Sequence, residues 1–373
     1  MQFTIAKDEF LRGLSRIQSV IEKKTTLPIL SNVLIEASGA SVTLVATDLE
    51  VGIRGMCEAE VEAEGTITVQ AKKLFELCRE LDSDTISLRV LGNDWVEIGG
   101  GAFSSKLVGL AADDYPVLPS TESATEFTIN GALLAEMIDK TQFAISTNET
   151  RYYLNGVFLV TAGKAKERLL RMVATDGHRL SLCDKPLPEG MNVKIEPGII
   201  IPRKGVTEMR RLLDEGEGDV VIGVKERNVV VRRSGVELII RLVDGDYPDY
   251  DQVVPKNNDR VATCQREKVL HALRRVSIMA TELNKGVKLS LKRKGMEISS
   301  KNPNLGEAKE NLAASYDGAD LEIGFNARYI LDVLGVLGDE DVVIQFADPL
   351  SPCIIKSPSD QGYLAVVMPM RLE

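Results

Sequence analysis

Two histidines, five cysteines and one tight run of aspartates are the residues with which this chain could do chemistry. His178 stands in Thr175-Asp176-Gly177-His178-Arg179-Leu180, a turn entering a strand, with a carboxylate two residues before it. That pairing suits a general base, but a base needs a nucleophile to activate, and the chain has no Gly-x-Ser-x-Gly, no His-Glu-x-x-His and no Walker-type loop. His271, between Leu270 and Leu273 on a helical stretch, reads as a packing or surface residue. Asp244, Asp246, Asp249 and Asp251 are the best candidates for an oxygen-ligated Ca²⁺ or Mg²⁺. Gly245 and Pro248 equally make that stretch a turn of solvated acids, and the related Asp113-Asp114-Tyr115-Pro116 has fewer of them. Gly99-Gly100-Gly101 reads as a hairpin, because no helix follows to supply the N–H groups of a phosphate cradle. Cys57, Cys78, Cys183, Cys264 and Cys353 are odd in number and lack Cys-x-x-Cys spacing, as expected of reduced, mostly buried thiols in a cytoplasmic protein. The opening MQFTIAKDEF has no apolar core of a secretory signal, and no apolar run approaches the ~18 residues of a membrane span. The expectation is a protein without catalytic residues, metal or cofactor.

What positions these residues is a unit written three times. FTIAKDEF from Phe3 returns as FTINGALL from Phe127, VATDLEVGI from Val45 as VATDGHRLSL from Val173, and LAADDYPVLP from Leu110 as LVDGDYPDYDQVVP from Leu242. A period of about 130 residues means tandem domains rather than a short-repeat solenoid. From Val254 a third copy keeps the order helix, strand, strand (REKVLHALRRV, VKLSLKR, GMEISS) and loses the Ala-Thr-Asp phrase.

Each copy holds two half-units, a helix followed by short strands. Helical spacing of apolar residues predicts helices near Lys7–Gln18, Gly131–Ile145 and Gln265–Met279, and near Gln70–Leu81, Pro202–Leu213 and Asn326–Leu337. Pro202 suits a first helical turn, where its missing N–H costs nothing. Strict alternation predicts strands at Thr85–Val90, Val287–Leu291 and Val342–Phe346, and a hairpin from Val229–Arg233 to Val236–Leu242 through Ser234-Gly235. Turn formers at Pro119–Glu126 and Val253–Asp259 divide the chain into domains 1–120, 127–252 and 253–373. The fold class is α+β: three similar domains, each with two helices packed on antiparallel sheets.

Net charge is −10, which by itself opposes nucleic-acid binding. The six helical spans, however, sum to about +7, through residues that include Lys72, Lys73, Arg79, Arg203 and Lys204. Two readings stay open on charge alone. A positive helix layer on a negative body suits a surface facing a polyanion. Solvated faces with local pairs such as Lys72–Glu76 and Lys73–Glu76 look the same in sequence.

Four separated motifs are specific. Arg151-Tyr152-Tyr153-Leu154-Asn155-Gly156, Ala174-Thr175-Asp176-Gly177-His178-Arg179-Leu180, Ile201-Pro202-Arg203-Lys204-Gly205 and the terminal Val366-Val367-Met368-Pro369-Met370-Arg371-Leu372 closely resemble the bacterial DNA polymerase sliding clamp family, the beta subunit of the replicative polymerase III holoenzyme. The likeness extends to Thr26-Leu27-Pro28-Ile29-Leu30 and Thr47-Asp48-Leu49-Glu50. It implies the DNA clamp fold and a head-to-tail homodimer whose six domains form a ring, helices inside, around duplex DNA. It implies no active site, a cytoplasmic, nucleoid-associated protein, and tethering of the polymerase alpha subunit, the clamp loader, other DNA polymerases and repair proteins through short motifs. DNA contacts are implied at Lys23, Lys24, Asn148, Tyr152 and Tyr153. A dimer junction is implied at Phe103–Leu107 against Ile278 and Met279, with Lys73 opposite Glu307 or Glu310. A partner-peptide pocket is implied at Leu154, Thr175, Gly177, His178, Arg179, Leu180, Pro248, Val253, Val366, Met368, Pro369, Met370, Arg371 and Leu372. Simple arithmetic agrees: spheres about 35 Å wide leave a hole of ~5 Å when three close a ring and roughly 30–35 Å when six do, enough for duplex DNA about 20 Å across.

Two other functions remain on residues alone. In a hydrolase or transferase built on Asp176 and His178, His178→Ala abolishes turnover and spares peptide binding. In a scaffold for proteins only, Lys24→Glu and Arg203→Glu leave polymerase stimulation on circular DNA unchanged.

Overall fold

The computed structural model describes residues 1–21, 27–122, 124–163, 168–187, 193, 195–280, 285–293 and 295–371. Among these the α-helices are α1 (Lys7–Gln18), α2 (Ala71–Glu80), α3 (Gly131–Thr141), α4 (Arg203–Asp214), α5 (Arg266–Val276) and α6 (Ala327–Val336). All six stand where helical spacing predicts them, with two ends shortened. Thr141 closes α3 by turning its hydroxyl back onto the Met137 carbonyl at 2.8 Å, and a 3₁₀ turn, Gln142–Ala144, follows. Ser277 does the same after α5, its hydroxyl on the Arg274 carbonyl at 3.1 Å. Pro202 is also displaced: it ends the strand Ile199–Pro202, and α4 begins one residue later.

The chain divides into two compact units, and residues of the middle repeat belong to both. The first unit is Met1–Ala132 with Lys204–Leu242; the second is Leu133–Arg203 with Val243–Glu373. Strand pairing explains the sharing. Val236–Arg241 pairs antiparallel with Val51–Glu58, and Arg179–Pro186 pairs antiparallel with Tyr363–Val367.

The first unit holds one sheet, in the order 125–130, 219–225, 228–233, 236–241, 51–58, 41–47, 32–38, 65–70, 103–110, 95–100, 85–90, 2–6, 60–63. Its hairpin turns on Ser234 and Gly235, at φ 49° and 76°, the positive pair that a two-residue turn between right-twisted strands requires. Gly101, at φ 60°, turns the expected glycine hairpin. Helix α1 buries Phe10, Gly13, Leu14 and Ile17. Gly13 is needed for that approach, since a Cβ there would lie 2.8 Å from Leu44 Cδ1 and 2.9 Å from Cys57 Sγ.

Among the described residues the second unit holds two sheets. One runs 199–202, 156–162, 169–175, 179–186, 363–367, 353–356, 341–346, 260–265, 315–316, and the other 306–313, 295–302, 286–292, 321–326. All five cysteines are buried and unpaired. Burial pushes the Cys57 thiol up to about 11 and that of Cys183 to about 12, so both stay protonated and inert at neutral pH.

Candidate functional site

The Ala-Thr-Asp phrase folds into one turn, made twice. In the second unit, Thr175 Oγ1 accepts from Gly177 N at 3.1 Å and donates to the Arg179 carbonyl at 2.6 Å. Asp176 Oδ1 accepts from His178 N at 2.9 Å and Arg179 N at 3.0 Å. In the first unit, Thr47 and Asp48 bind Leu49 N, Glu50 N, Val51 N and the Val51 carbonyl in the same pattern. Gly177 sits at φ 86° and its counterpart Leu49 at φ 77°. The third copy retains part of the device: Asn302 Oδ1 accepts from Asn304 N at 3.0 Å, though the phrase itself is gone.

Beyond this turn the strand 179–186 carries an apolar site. Val173, Leu180, Leu182 and Val366 form a buried cluster, with Phe158, Tyr247, Tyr250, Val254 and Leu364 packed on it and partly exposed. Phe158 stacks on Tyr247 with centroids 4.8 Å apart and planes 7° from parallel. The tail is pinned beside the turn, Met368 N donating to the His178 carbonyl and Met370 N to that of Gly324, both at 2.9 Å. Of the expected pocket residues, Gly177, His178, Pro248, Val253 and Arg371 are exposed, and Met368, Pro369 and Met370 are half-buried. Leu154, Thr175, Arg179, Leu180 and Val366 are buried and support the surface from below. Leu372 lies outside the described residues.

Arg179 supports the turn through residues that sequence reading missed. Its guanidinium reaches Asp176 at 3.1 Å, Asp332 at 2.6 Å and the Phe143 carbonyl at 2.5 Å, and lies 4.7 Å from the Tyr329 ring centroid. His178 stacks on the same Tyr329 ring at 6.2 Å and 15°. Asp332 and Tyr329 carry no sequence signal, because they meet Arg179 from about 150 residues away. Tyr247 did carry one, in the recurring Asp-Tyr-Pro.

The expected polyanion-facing residues divide into two kinds. Lys72, Lys73 and Arg79 project from α2 with side chains more than half exposed; Glu76 lies 3.8 Å from Lys72 and 2.8 Å from Lys73, and Glu80 3.0 Å from Arg79. Tyr152 is exposed, edge-on to the half-buried Tyr153. Asn148 is exposed too, its Oδ1 accepting from Thr150 N at 2.9 Å. Arg203 and Lys204 are instead engaged within the fold. Arg203 is exposed as a whole, yet its guanidinium donates to the Ile145 and Ser146 carbonyls at 2.6 and 3.2 Å, and partial burial, then the nearby Arg179, holds its pKa below the usual arginine value. Lys204 pairs with Asp48. The positive helix layer is therefore thinner than the sequence sum. Lys23 and Lys24 lie outside the described residues.

Among the described residues, two of the strands left open on one side carry the expected junction residues. The strand 103–110 pairs along its length with 95–100, but with 65–70 only at Gly109 and Leu110. The strand 306–313 pairs on one side only, with 295–302. Phe103 is 46% and Ile278 71% exposed, a cost in water that a covering partner would remove. Leu107 and Met279 are half-buried, and Glu307 is exposed. Glu310, expected opposite Lys73, is held within its own chain by Arg275 at 2.9 Å, which keeps its carboxyl below the usual range.

His271 is exposed beside Glu267 at 3.4 Å. Asp176 directs its carboxylate to two backbone amides and Arg179, and no hydrogen bond from it to the His178 ring is found among the described residues. In the aspartate run, Asp249 caps Asp251 N at 3.2 Å, as in an ordinary acidic turn.

Comparison with known proteins covers the whole chain. Family models of the DNA polymerase III beta subunit match in order: the N-terminal domain over residues 1–119, the central domain over 128–249 and the C-terminal domain over 251–371. The beta sliding clamp of Caulobacter vibrioides is 39% identical over 374 residues, spanning 100% of both chains. The crystal structure of the DNA polymerase sliding clamp from Caulobacter crescentus has a TM-score of 0.94 at 38% identity, with 100% of each chain covered. So does that of DNA polymerase III subunit beta from Bartonella birtlesii bound to griselimycin.

Proposed function

The chain belongs to the DNA polymerase III beta subunit family, and we propose that it is a non-catalytic sliding clamp of the replicative polymerase. Two copies join head to tail into a ring of six domains, 1–120, 127–252 and 253–373 from each, threaded by duplex DNA. The observation that carries this reading is the ordered match of all three domain models onto three copies of one two-helix unit. The bare edges at 103–108 and 306–313 support closure, because pairing them between molecules satisfies amides and carbonyls that otherwise face water.

Retention is topological, so the grip on DNA is weak and blind to sequence. Lys72, Lys73, Arg79, Asn148, Tyr152 and Tyr153 face the duplex through phosphate contacts, which position without reading bases, and Lys24 is assigned to the same role by the family resemblance alone. Arg203 and Lys204 act in this surface chiefly by fixing its helix.

The second unit's apolar site takes a short motif with a glutamine and two or three apolar anchors from the polymerase alpha subunit, the clamp loader and repair proteins. Val253, Pro248, Met368 and Met370 line it; methionine suits varied partners because its side chain is flexible and polarisable. The griselimycin complex of the Bartonella relative supports a ligand site in this fold. The protein works in the cytoplasm, on the nucleoid.

The test is to load the protein on closed-circular DNA, cut the circle and measure what stays bound, with sedimentation run in parallel. Release on cutting and a dimer mass are expected. Retention after cutting, or a monomer at working concentration, overturns the proposal.

A further inference from the structure

The internal repeat places a second cleft in the first unit, of about 420 Å³, at the positions that correspond to the apolar site of the second. The correspondence follows strand register. Val51 pairs with Ile240 and Ile53 with Leu238, as Arg179 pairs with Val367 and Ser181 with Ala365. Glu50 therefore answers to His178 and Arg241 to Met368. The hydrogen bond that pins the tail is reproduced: Arg241 N donates to the Glu50 carbonyl at 2.8 Å, as Met368 N does to His178 at 2.9 Å. The Thr47-Asp48 turn and Pro116 stand where the Thr175-Asp176 turn and Pro248 stand.

The two sites differ in chemistry. Gly52 replaces Leu180, and Leu118 fills the space: its Cδ2 lies 2.4 Å from where a Cβ on Gly52 would be. The floor is then Leu118 and the buried Ile239, with Leu49 half-exposed at the rim and Val117 93% exposed beside it. Where the second unit offers the Met368 thioether, the first offers the exposed Arg241 guanidinium, and no ion pair to it is found among the described residues. Arg227 lines the same cleft, while Glu50 and Glu226 also border it. That balance rejects a strongly acidic ligand and suits one carboxylate next to apolar side chains.

We propose that this cleft docks an extended partner peptide with apolar anchors and a single acidic residue, the carboxylate meeting Arg241. The inference rests on reading the second unit's site as a peptide pocket, and it gives each chain two docking places of different preference. One partner bearing two motifs would then gain by effective concentration.

The test uses the full-length protein with labelled leucine, isoleucine and methionine methyls. The probes are two synthetic peptides with one glutamine and three apolar anchors, alike except for a glutamate or a lysine after the anchors. The glutamate peptide is expected to shift Met368 first, then Leu49 and Ile239. The Leu49 and Ile239 response is expected to weaken about fivefold or more with the lysine peptide and in Arg241→Glu, with Met368 unaffected by the variant. A response at Met368 alone overturns the second cleft and leaves the pocket reading standing. Equal responses to both peptides at Leu49 and Ile239 overturn the role of Arg241. No response at either site overturns the pocket reading and the cleft with it.

Discussion

The Arg179 guanidinium donates to the Asp332 carboxylate at 2.6 Å, which ties the turn carrying Gly177 and His178 to helix α6. Arg179 is only 8% exposed, so the contact acts at low dielectric and holds the turn more firmly than a surface pair would. The conformation of that turn thus depends on a helix far along the sequence.

Asp332→Asn keeps the volume and removes the charge. Affinity for a clamp-binding peptide is expected to fall about tenfold, or about 1.4 kcal/mol, with the dimer intact. Fluorescence anisotropy with a labelled peptide measures it. Unchanged affinity would mean that Asp176 and Phe143 alone hold Arg179.

The repeated turn predicts opposite outcomes at equivalent positions. Gly177→Ala places a Cβ at φ 86° and 3.0 Å from an Arg151 nitrogen, and is expected to cost about 1–2 kcal/mol. Leu49→Gly relieves the same backbone strain at φ 77° and is expected to stabilise by less than about 1 kcal/mol, because glycine also frees the unfolded chain. Thermal unfolding of both variants decides the sign.

Exposed and engaged cations separate by experiment. Lys72→Gln with Arg79→Gln is expected to flatten the salt dependence of binding to short linear duplex, by about 0.9 in log–log slope for each phosphate no longer neutralised, and to leave stability unchanged. Arg203→Gln strips a donor from the Ile145 and Ser146 carbonyls and is expected to cost about 1–3 kcal/mol of stability. A normal melting temperature for Arg203→Gln would mean that the two carbonyls are satisfied without it.

A pH signature comes from Lys140, which pairs with Glu136 at 2.6 Å and Asp360 at 2.5 Å. Burial disfavours all three charges, but their hydrogen bonds prevail: Glu136 and Asp360 are lowered from 4.5 and 3.8, and Lys140 is raised from 10.5. Depressed carboxylates contribute stability above their unfolded pKa and lose it as pH falls through the folded one. A raised lysine contributes below 10.5 and loses it as pH rises through its folded pKa. The melting-temperature gap between the wild type and Lys140→Met is therefore expected to be flat between about pH 5 and 10 and to shrink outside that window. A gap that stays constant into acid would show the cluster to be energetically silent.

Much of this was legible because periodicity is local. The spacing of Phe10, Leu14 and Ile17 marks a helix, the alternation in Thr85–Val90 a strand, and Ser234-Gly235 a hairpin, whatever lies nearby. The helix ends at Thr141 and Ser277 were less legible, since a side-chain hydroxyl competing for a carbonyl leaves no trace in apolar spacing. The pocket residues were named only because four separated motifs resemble a known family, and Tyr329, Asp332 and Phe158 lie outside those motifs.

The sequence by itself determined the six helices, the Thr-Asp turn and the α+β class, which follow from patterns within a few residues, and the three-fold repetition, which follows from phrases recurring about 130 residues apart. Only the tertiary structure decided which cations are spent. Lys204 beside Asp48, Arg203 on the Ile145 carbonyl and Arg179 against Asp332 are each set by strands and helices brought together over long separations. A charge read from sequence has no partner until the fold supplies one, and burial then decides whether it faces solvent or holds the protein together.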